Sequence, residues 1–189
     1  YGVVQDPAVH KYVTLVGAVL ATASSRPNLD WTFIVLDTDG VNAFAAPGGY
    51  ILVTRGLYEL LATDSELAAV LGHEISHCVQ RDHYNVIRKQ ELATLGKETV
   101  ASKIDTGGGA AAAFATNYVE KHGATIMLTA LDRDAEFRAD EASEIYLARS
   151  GMNPIALYSV LQKMMALGEK SASLAALYKT HPPLDARLD

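Results

Sequence analysis

Residues 71–83 read Leu71-Gly72-His73-Glu74-Ile75-Ser76-His77-Cys78-Val79-Gln80-Arg81-Asp82-His83, and His73-Glu74-Ile75-Ser76-His77 within them is an H-E-x-x-H. Between residues 65 and 79 the apolar side chains Leu67, Ala68, Leu71, Ile75, Cys78 and Val79 recur at helical spacing. Positions four apart on a helix share a face, so the imidazoles of His73 and His77 can converge on one ion. Glu74 is offset from both by a fraction of a turn, which suits its carboxylate to holding and deprotonating a metal-bound water better than to ligating the metal. The same letters also fit a surface helix with two solvated histidines and an ion-paired glutamate. A hydrolytic zinc site needs a third protein ligand and an open position for water, and the rest of the chain has to supply that ligand.

The 189 residues are 49% hydrophobic, enough for a full core, and one domain over residues 1–189 is the natural count. A net charge of -6 with no cluster among the 16 basic residues argues against a nucleic-acid partner. No apolar run reaches the length of a membrane span; the best, residues 12–23, is too short and carries Thr14 and Thr22. No signal peptide is evident and the first residue is Tyr1, as expected of a mature or excised domain whose targeting segment, if any, is missing. The one cysteine, Cys78, excludes an internal disulfide and leaves the redox compartment open.

Upstream of the motif, Asp6-Pro7 reads as a helix cap followed by proline at the first helical position, and Val9, Val13, Val16 and Leu20 give that helix an apolar stripe to about Ala23. Residues 31–36 form a β-branched and aromatic run of strand length. A second extended piece, residues 41–46, ends at Pro47-Gly48-Gly49, and residues 50–53 make a third strand. The expected fold is therefore α+β and mostly helical, with a small three-stranded sheet ahead of the H-E-x-x-H helix. Thr54 can cap a short helix to Leu61, and Asp64 or Ser65 starts the histidine helix. Strand 42–45 (Asn42, Ala43, Phe44, Ala45), with small side chains, either holds an extended peptide through its backbone or is an ordinary sheet strand.

Downstream, helical character continues to about Ile104 and breaks at residues 105–109, where Gly107-Gly108-Gly109 sits. An alanine-rich helix to about Ala130 follows, and the 105–130 region reads either as a plain connector or as a mobile lid. Residues 131–151 form a long amphipathic helix whose polar face carries Asp134, Glu136, Asp140, Glu141 and Glu144. A helix this charged is often solvated, with ion pairs such as Glu136 to Arg133 or Asp134 to Arg138. Glu136 and Asp140, one turn apart, offer a ligand and a carboxylate to orient a ligand imidazole, but spacing does not choose Glu136 over Glu141 or Glu144.

His73-Glu74-Ile75-Ser76-His77 followed by Glu136-Phe137-Arg138-Ala139-Asp140 resembles the H-E-x-x-H and E-x-x-x-D pairing of the M48 family of zinc metallopeptidases, a group of gluzincins. Asn42-Ala43-Phe44-Ala45-Ala46-Pro47-Gly48-Gly49 is similar to the family's upstream strand and turn, and Thr180-His181-Pro182-Pro183 with Arg187 is similar to its late landmark. The resemblance covers nearly the whole chain and implies a zincin-like metalloprotease catalytic domain. It implies that His73, His77 and Glu136 bind one zinc ion per chain, that Glu74 is the general base, that Asp140 backs a ligand, and that residues 42–45 are the substrate strand. Membrane-spanning members carry hydrophobic helices that this chain lacks. The sequence is more similar to the soluble or lipid-anchored branch of the bacterial cell envelope, periplasmic and tied to quality control of envelope proteins.

The chemistry so implied is that of a zinc endopeptidase acting on extended or misfolded polypeptides. An oxyanion would need a second electrophile, for which His181 as a donor and Arg187 as a fixed cation are candidates. The ordinary alternative has His181 packing a turn before Pro182 and Arg187 pairing with Asp185 or Asp189. His83 is expected to be exposed or ion-paired, His10 and His122 to be surface residues, and Cys78 a small core residue. Tyr118 and Tyr178 are further donors that spacing does not rank. The rival reading is a chaperone-like or scaffolding module with a structural or latent zinc, against which stands Glu74, since a structural zinc needs no general base.

Overall fold

A computed structural model describes residues 1–95, 130–168, 171–181 and 184–187. The first helix, α1 (Pro7–Ala23), begins where the sequence places it. Asp6 accepts from the Ala8 N–H at 2.8 Å and Pro7 takes the first helical position, where its missing N–H costs nothing. Its buried stripe of Val13, Val16, Gly17, Leu20 and Ala21 packs on the sheet and on the histidine helix.

The sheet has four strands, not three: β1 (Gly2–Val3), β2 (Thr32–Asp37), β3 (Ala43–Ala46) and β4 (Tyr50–Thr54), in the order β1-β2-β4-β3. The added strand is two exposed residues, too short to show any alternation, and it pairs antiparallel with β2. Strands β2 and β4 run parallel, with Thr32 opposite Tyr50, whereas β3 pairs antiparallel with β4 and forms an edge. The β3–β4 turn uses Gly48 and Gly49 at φ 100° and 95°, a left-handed region that favours glycine.

Thr54 caps α2 (Arg55–Leu60) through the Leu57 N–H. The next helix, α3 (Asp64–Gln80), starts at Asp64, one of the two expected positions, and is capped by Thr63, which accepts from the Glu66 N–H while the Glu66 carboxylate accepts from the Ala62 N–H. Every residue of α3 from Glu66 to Cys78 is buried. It is not an amphipathic surface helix but the axis of the molecule, enclosed by α1, β3, α5 (Arg133–Arg149) and α6 (Ala156–Ala166). Arg81, at φ 61°, ends α3 in a left-handed turn, and α4 (Asp82–Leu95) starts at once in a new direction. The expected helicity beyond residue 95 and the 105–130 lid or connector lie outside the described residues.

Helix α5, capped by Asp132 through the Ala135 N–H, makes the most extensive packing against α3. Ala135, Ala139, Ser143 and Leu147, four apart, form the buried stripe that meets α3. At Gly72 the helices come so close that a Cβ would lie 2.8 Å from Ser143 Oγ, which itself donates to the Ala69 carbonyl. After α6 the chain returns through Ala172–Leu174, α7 (Leu177–Thr180) and Leu184–Arg187 to the same region. Among the described residues no helix is long and apolar enough to cross a membrane.

Candidate metal centre

The buried α3 carries His73 and His77 on the face toward α5, and the close approach at Gly72 sets them against Glu136 on the first turn of that helix. Their Nε2 atoms stand 3.0 Å apart, and each is 3.4 Å from a Glu136 carboxylate oxygen. Glu136 is fully buried, whereas Glu141 and Glu144 are exposed, so the carboxylate facing the histidines is Glu136. His181, after α7, donates from Nδ1 to both Glu136 oxygens at 3.0 and 2.9 Å, and the four side chains offer ligand atoms within 4.8 Å of one another.

This group fits a divalent metal. His73 Nδ1 donates to Asp140 at 2.7 Å and His77 Nδ1 donates to Asp82 at 2.9 Å, so both Nε2 lone pairs are left directed into one space. Bonds of about 2.0–2.1 Å to a tetrahedral ion place ligand atoms roughly 3.3–3.4 Å apart, close to the three separations here. Burial and the Arg187 charge act to lower the proton affinity of His73, yet the Asp140 and Glu136 carboxylates outweigh them and raise it to about 10. Burial likewise opposes the Glu136 charge, but His181, His73 and His77 hold that carboxyl well below the ordinary range. The surroundings favour a positive charge at this point, whether a proton or a metal carries it.

Glu74, the next residue on α3, is buried beside the cluster, with Oε1 4.0 Å from His181 Nε2. Its Oε2 is buried and has no hydrogen-bond partner among the described residues. Asp140 is clasped by Arg187, which donates from Nε to Oδ2 at 2.8 Å and from a terminal nitrogen to Oδ1 at 2.5 Å. The third Arg187 nitrogen is 3.3 Å from Glu136. Arg187 thus pairs across to α5 and, among the described residues, not with the neighbouring Asp185; Asp189 lies outside them. Burial pushes Asp140 up, but its bonds and charge pairing with His73 first and Arg187 second hold it down to about 2. An apolar cavity of about 30 Å³ opens beside Glu74, His73, His181 and Arg187, walled by Ala43, Leu57, Val160, Leu161 and Met164 among others.

In the 42–45 strand, Ala43 lines that cavity and the Asn42 side chain is committed to the Ala43 N–H and Thr180. Asn42, Ala43, Phe44 and Ala45 are all buried. His83 corrects an expectation: it is buried, its ring edge-on to His77 at 5.9 Å, and burial with the neighbouring imidazoles pushes it down to about 3. The expected α5 ion pairs give way to Arg133 over the Phe137 ring and Arg138 reaching Gln80 and Asp82. Cys78 is buried, its thiol on the Ala46 carbonyl, and burial raises it to about 12. His10 is half-buried, bonded to the Val4 carbonyl; His122 and Tyr118 lie outside the described residues. Asp82 was not foreseen, because the turn at Arg81 breaks the helical phase by which its neighbours are placed.

The profile of peptidase family M48 matches residues 7–189. The chain is 30% identical over 187 residues to the beta-barrel assembly-enhancing protease of Yersinia pestis, covering 98% of this chain and 38% of that protein. It is 30% identical over 142 residues to metalloprotease LoiP of Escherichia coli (strain K12), covering 75% of this chain and 54% of LoiP. Over 162 residues it is 27% identical to the mitochondrial metalloendopeptidase OMA1 of Arabidopsis thaliana, covering 86% of this chain and 31% of that one. The chain therefore spans well under two thirds of the length of these relatives.

Proposed function

This chain belongs to peptidase family M48, and from that premise we propose that it is a zinc-dependent endopeptidase cleaving extended or misfolded polypeptides. His73, His77 and Glu136 would hold the ion, and residues 1–189 would act as one catalytic domain. The observation that carries the reading is the meeting of these three buried donors, from helices far apart in sequence, beside the unpartnered Oε2 of Glu74. When bound, zinc supplies a Lewis acid that brings a water to a pKa of about 7.

Glu74 is the general base: Oε2, with no partner of its own, takes the proton from the attacking water and returns it to the leaving amine. His181 presents its Nε2 on the Glu74 side, where as an imidazolium, its Nδ1–H already on Glu136, it would donate to the developing oxyanion, and Arg187 is the fixed cation behind it, anchored by Asp140. The Asp140 carboxylate orients His73 through its Nδ1–H. Substrate lies along β3, an edge strand whose Ala43 borders the cavity beside Glu74. A scaffold with structural zinc would have no use for a buried carboxylate here with one oxygen left without a partner among the described residues.

The proposed place is the bacterial cell envelope, periplasmic or lipid-anchored, with envelope polypeptides as substrates; the name beta-barrel assembly-enhancing protease, carried by a relative, supports the envelope part of that reading. The deciding experiment is Glu74→Gln. Zinc content stays at the wild-type level while casein cleavage disappears; cleavage at the wild-type rate would remove Glu74 from its role.

A further inference from the structure

Helix α5 delivers Glu136 to the metal centre and backs His73 directly through Asp140. Two residues beyond Glu136, Arg138 turns toward the far end of α3. Its Nε donates to Gln80 Oε1 at 2.9 Å, and a terminal nitrogen lies 3.6 Å from Asp82 Oδ1. The other oxygen of Asp82 accepts from His77 Nδ1 at 2.9 Å. Gln80 in turn donates to the buried Ser76 at 2.6 Å, so the Arg138 head is fixed at two points.

Asp82 can reach His77 only because Arg81, a non-glycine residue at φ 61°, folds the chain back at the end of α3. A continued helix would carry residue 82 away, five positions being more than a full turn. Asp82 sits in the first turn of α4, where the helix dipole favours its charge, and its side chain is only 9% exposed. Asp82 is not itself a ligand candidate, since it meets His77 at the ring nitrogen opposite the one that faces His73 and Glu136.

We infer that Asp82 and Arg138 are positioning residues for the metal centre: Asp82 fixes the tautomer and ring orientation of His77, and Arg138 holds Asp82 in place. The inference rests on the proposed metal reading of His73, His77 and Glu136. It makes the centre two-sided, His73 held by Asp140 and Arg187, His77 by Asp82 and Arg138. The four carboxyl groups Glu74, Asp82, Glu136 and Asp140 then outnumber the two guanidiniums by two, an excess that a divalent cation balances.

The test measures zinc dissociation constants on metal-depleted protein by chelator competition, with the visible spectrum of the cobalt-substituted protein as a report on ligand geometry. Outer partners of ligand histidines typically contribute about 10–100-fold in affinity. Asp82→Ala is expected to weaken zinc by that order and shift the cobalt spectrum, while Asp82→Asn, which keeps an acceptor for Nδ1–H, recovers most of the loss. Wild-type zinc affinity and spectrum in Asp82→Ala overturn the proposal. Should Asp82→Ala not fold, Arg138→Ala decides, because that side chain is half exposed: a several-fold loss that Arg138→Lys partly restores supports the inference, and no loss overturns it. If wild-type protein takes up no zinc, the metal reading fails, and this inference with it; if wild type binds and the variants bind equally, only the positioning role fails.

Discussion

Glu136 owes its place to its neighbours. Ala135, Ala139, Ser143 and Leu147 turn one face of α5 onto α3, and Glu136, adjacent to Ala135, is drawn inside with them while Glu141 and Glu144 stay in water. Glu136→Gln is therefore expected to bring zinc content well below one per chain, with Glu141→Gln leaving it intact; equal zinc in both would remove Glu136 from the ligand set. The small-residue stripe was present in the sequence and separates the three glutamates. What spacing cannot show is Asp82 against His77, since a left-handed turn at a non-glycine residue resets the phase between them. A second residue-scale outcome concerns pH. Tyr12 donates to Asp64 at 2.5 Å, and burial together with that bond raises the phenol from 10.0 to about 12. A raised pKa favours the neutral form in the fold, so this stabilisation is complete below pH 10 and is lost as pH rises through about 12. Tyr12→Phe should cost about 0.5–1.5 kcal/mol near neutrality, and denaturant titrations at rising pH should show the gap between variant and wild type close over that window.

At the scale of elements, the contact of α3 with α5 governs the centre. Alanine at position 72 gains about 1 kcal/mol of helix propensity, but its Cβ would stand 2.8 Å from Ser143 Oγ and 3.4 Å from Ser143 Cα. Overpacking of this kind costs about 1–3 kcal/mol, so Gly72→Ala is expected to lower stability and also to weaken zinc binding by moving Glu136 outward. Adding Ser143→Ala removes the nearer contact and should return part of the stability in a double-mutant cycle; strict additivity would show the two positions uncoupled. The element order was largely legible: caps at Asp6 and Thr54 and the strand runs gave α1, α2 and three strands close to their observed bounds. Strand β1 was not, because two exposed residues held only by pairing to β2 carry no pattern. The full burial of α3 was also hidden, since Glu66, Ser76, His73 and His77 read as a polar face until Lys163, Gln80 and α5 supply their partners.

For the molecule as a whole, a metal held as proposed would tie α3 to α5 across the core, so its binding would be coupled to folding. At a hundredfold excess over its dissociation constant a ligand of the native state alone adds about 2.7 kcal/mol. Chelation should accordingly lower the Tm, and zinc should restore it, in wild type and in Glu74→Gln alike, since that glutamate is not assigned to the ion. A Tm indifferent to chelator would mean that no metal spans the two helices. The long reach of the centre has one more result. Arg187, which grips Asp140 and lies 3.3 Å from His73 Nδ1, is 114 positions later in the chain than that histidine. Ribosomes add about 5–20 residues per second, so a growing polypeptide exposes its H-E-x-x-H on the order of ten seconds before the arginine is made. Throughout that interval the clasp on Asp140 is missing, so the site proposed for peptide cleavage would be complete only once Arg187 is made.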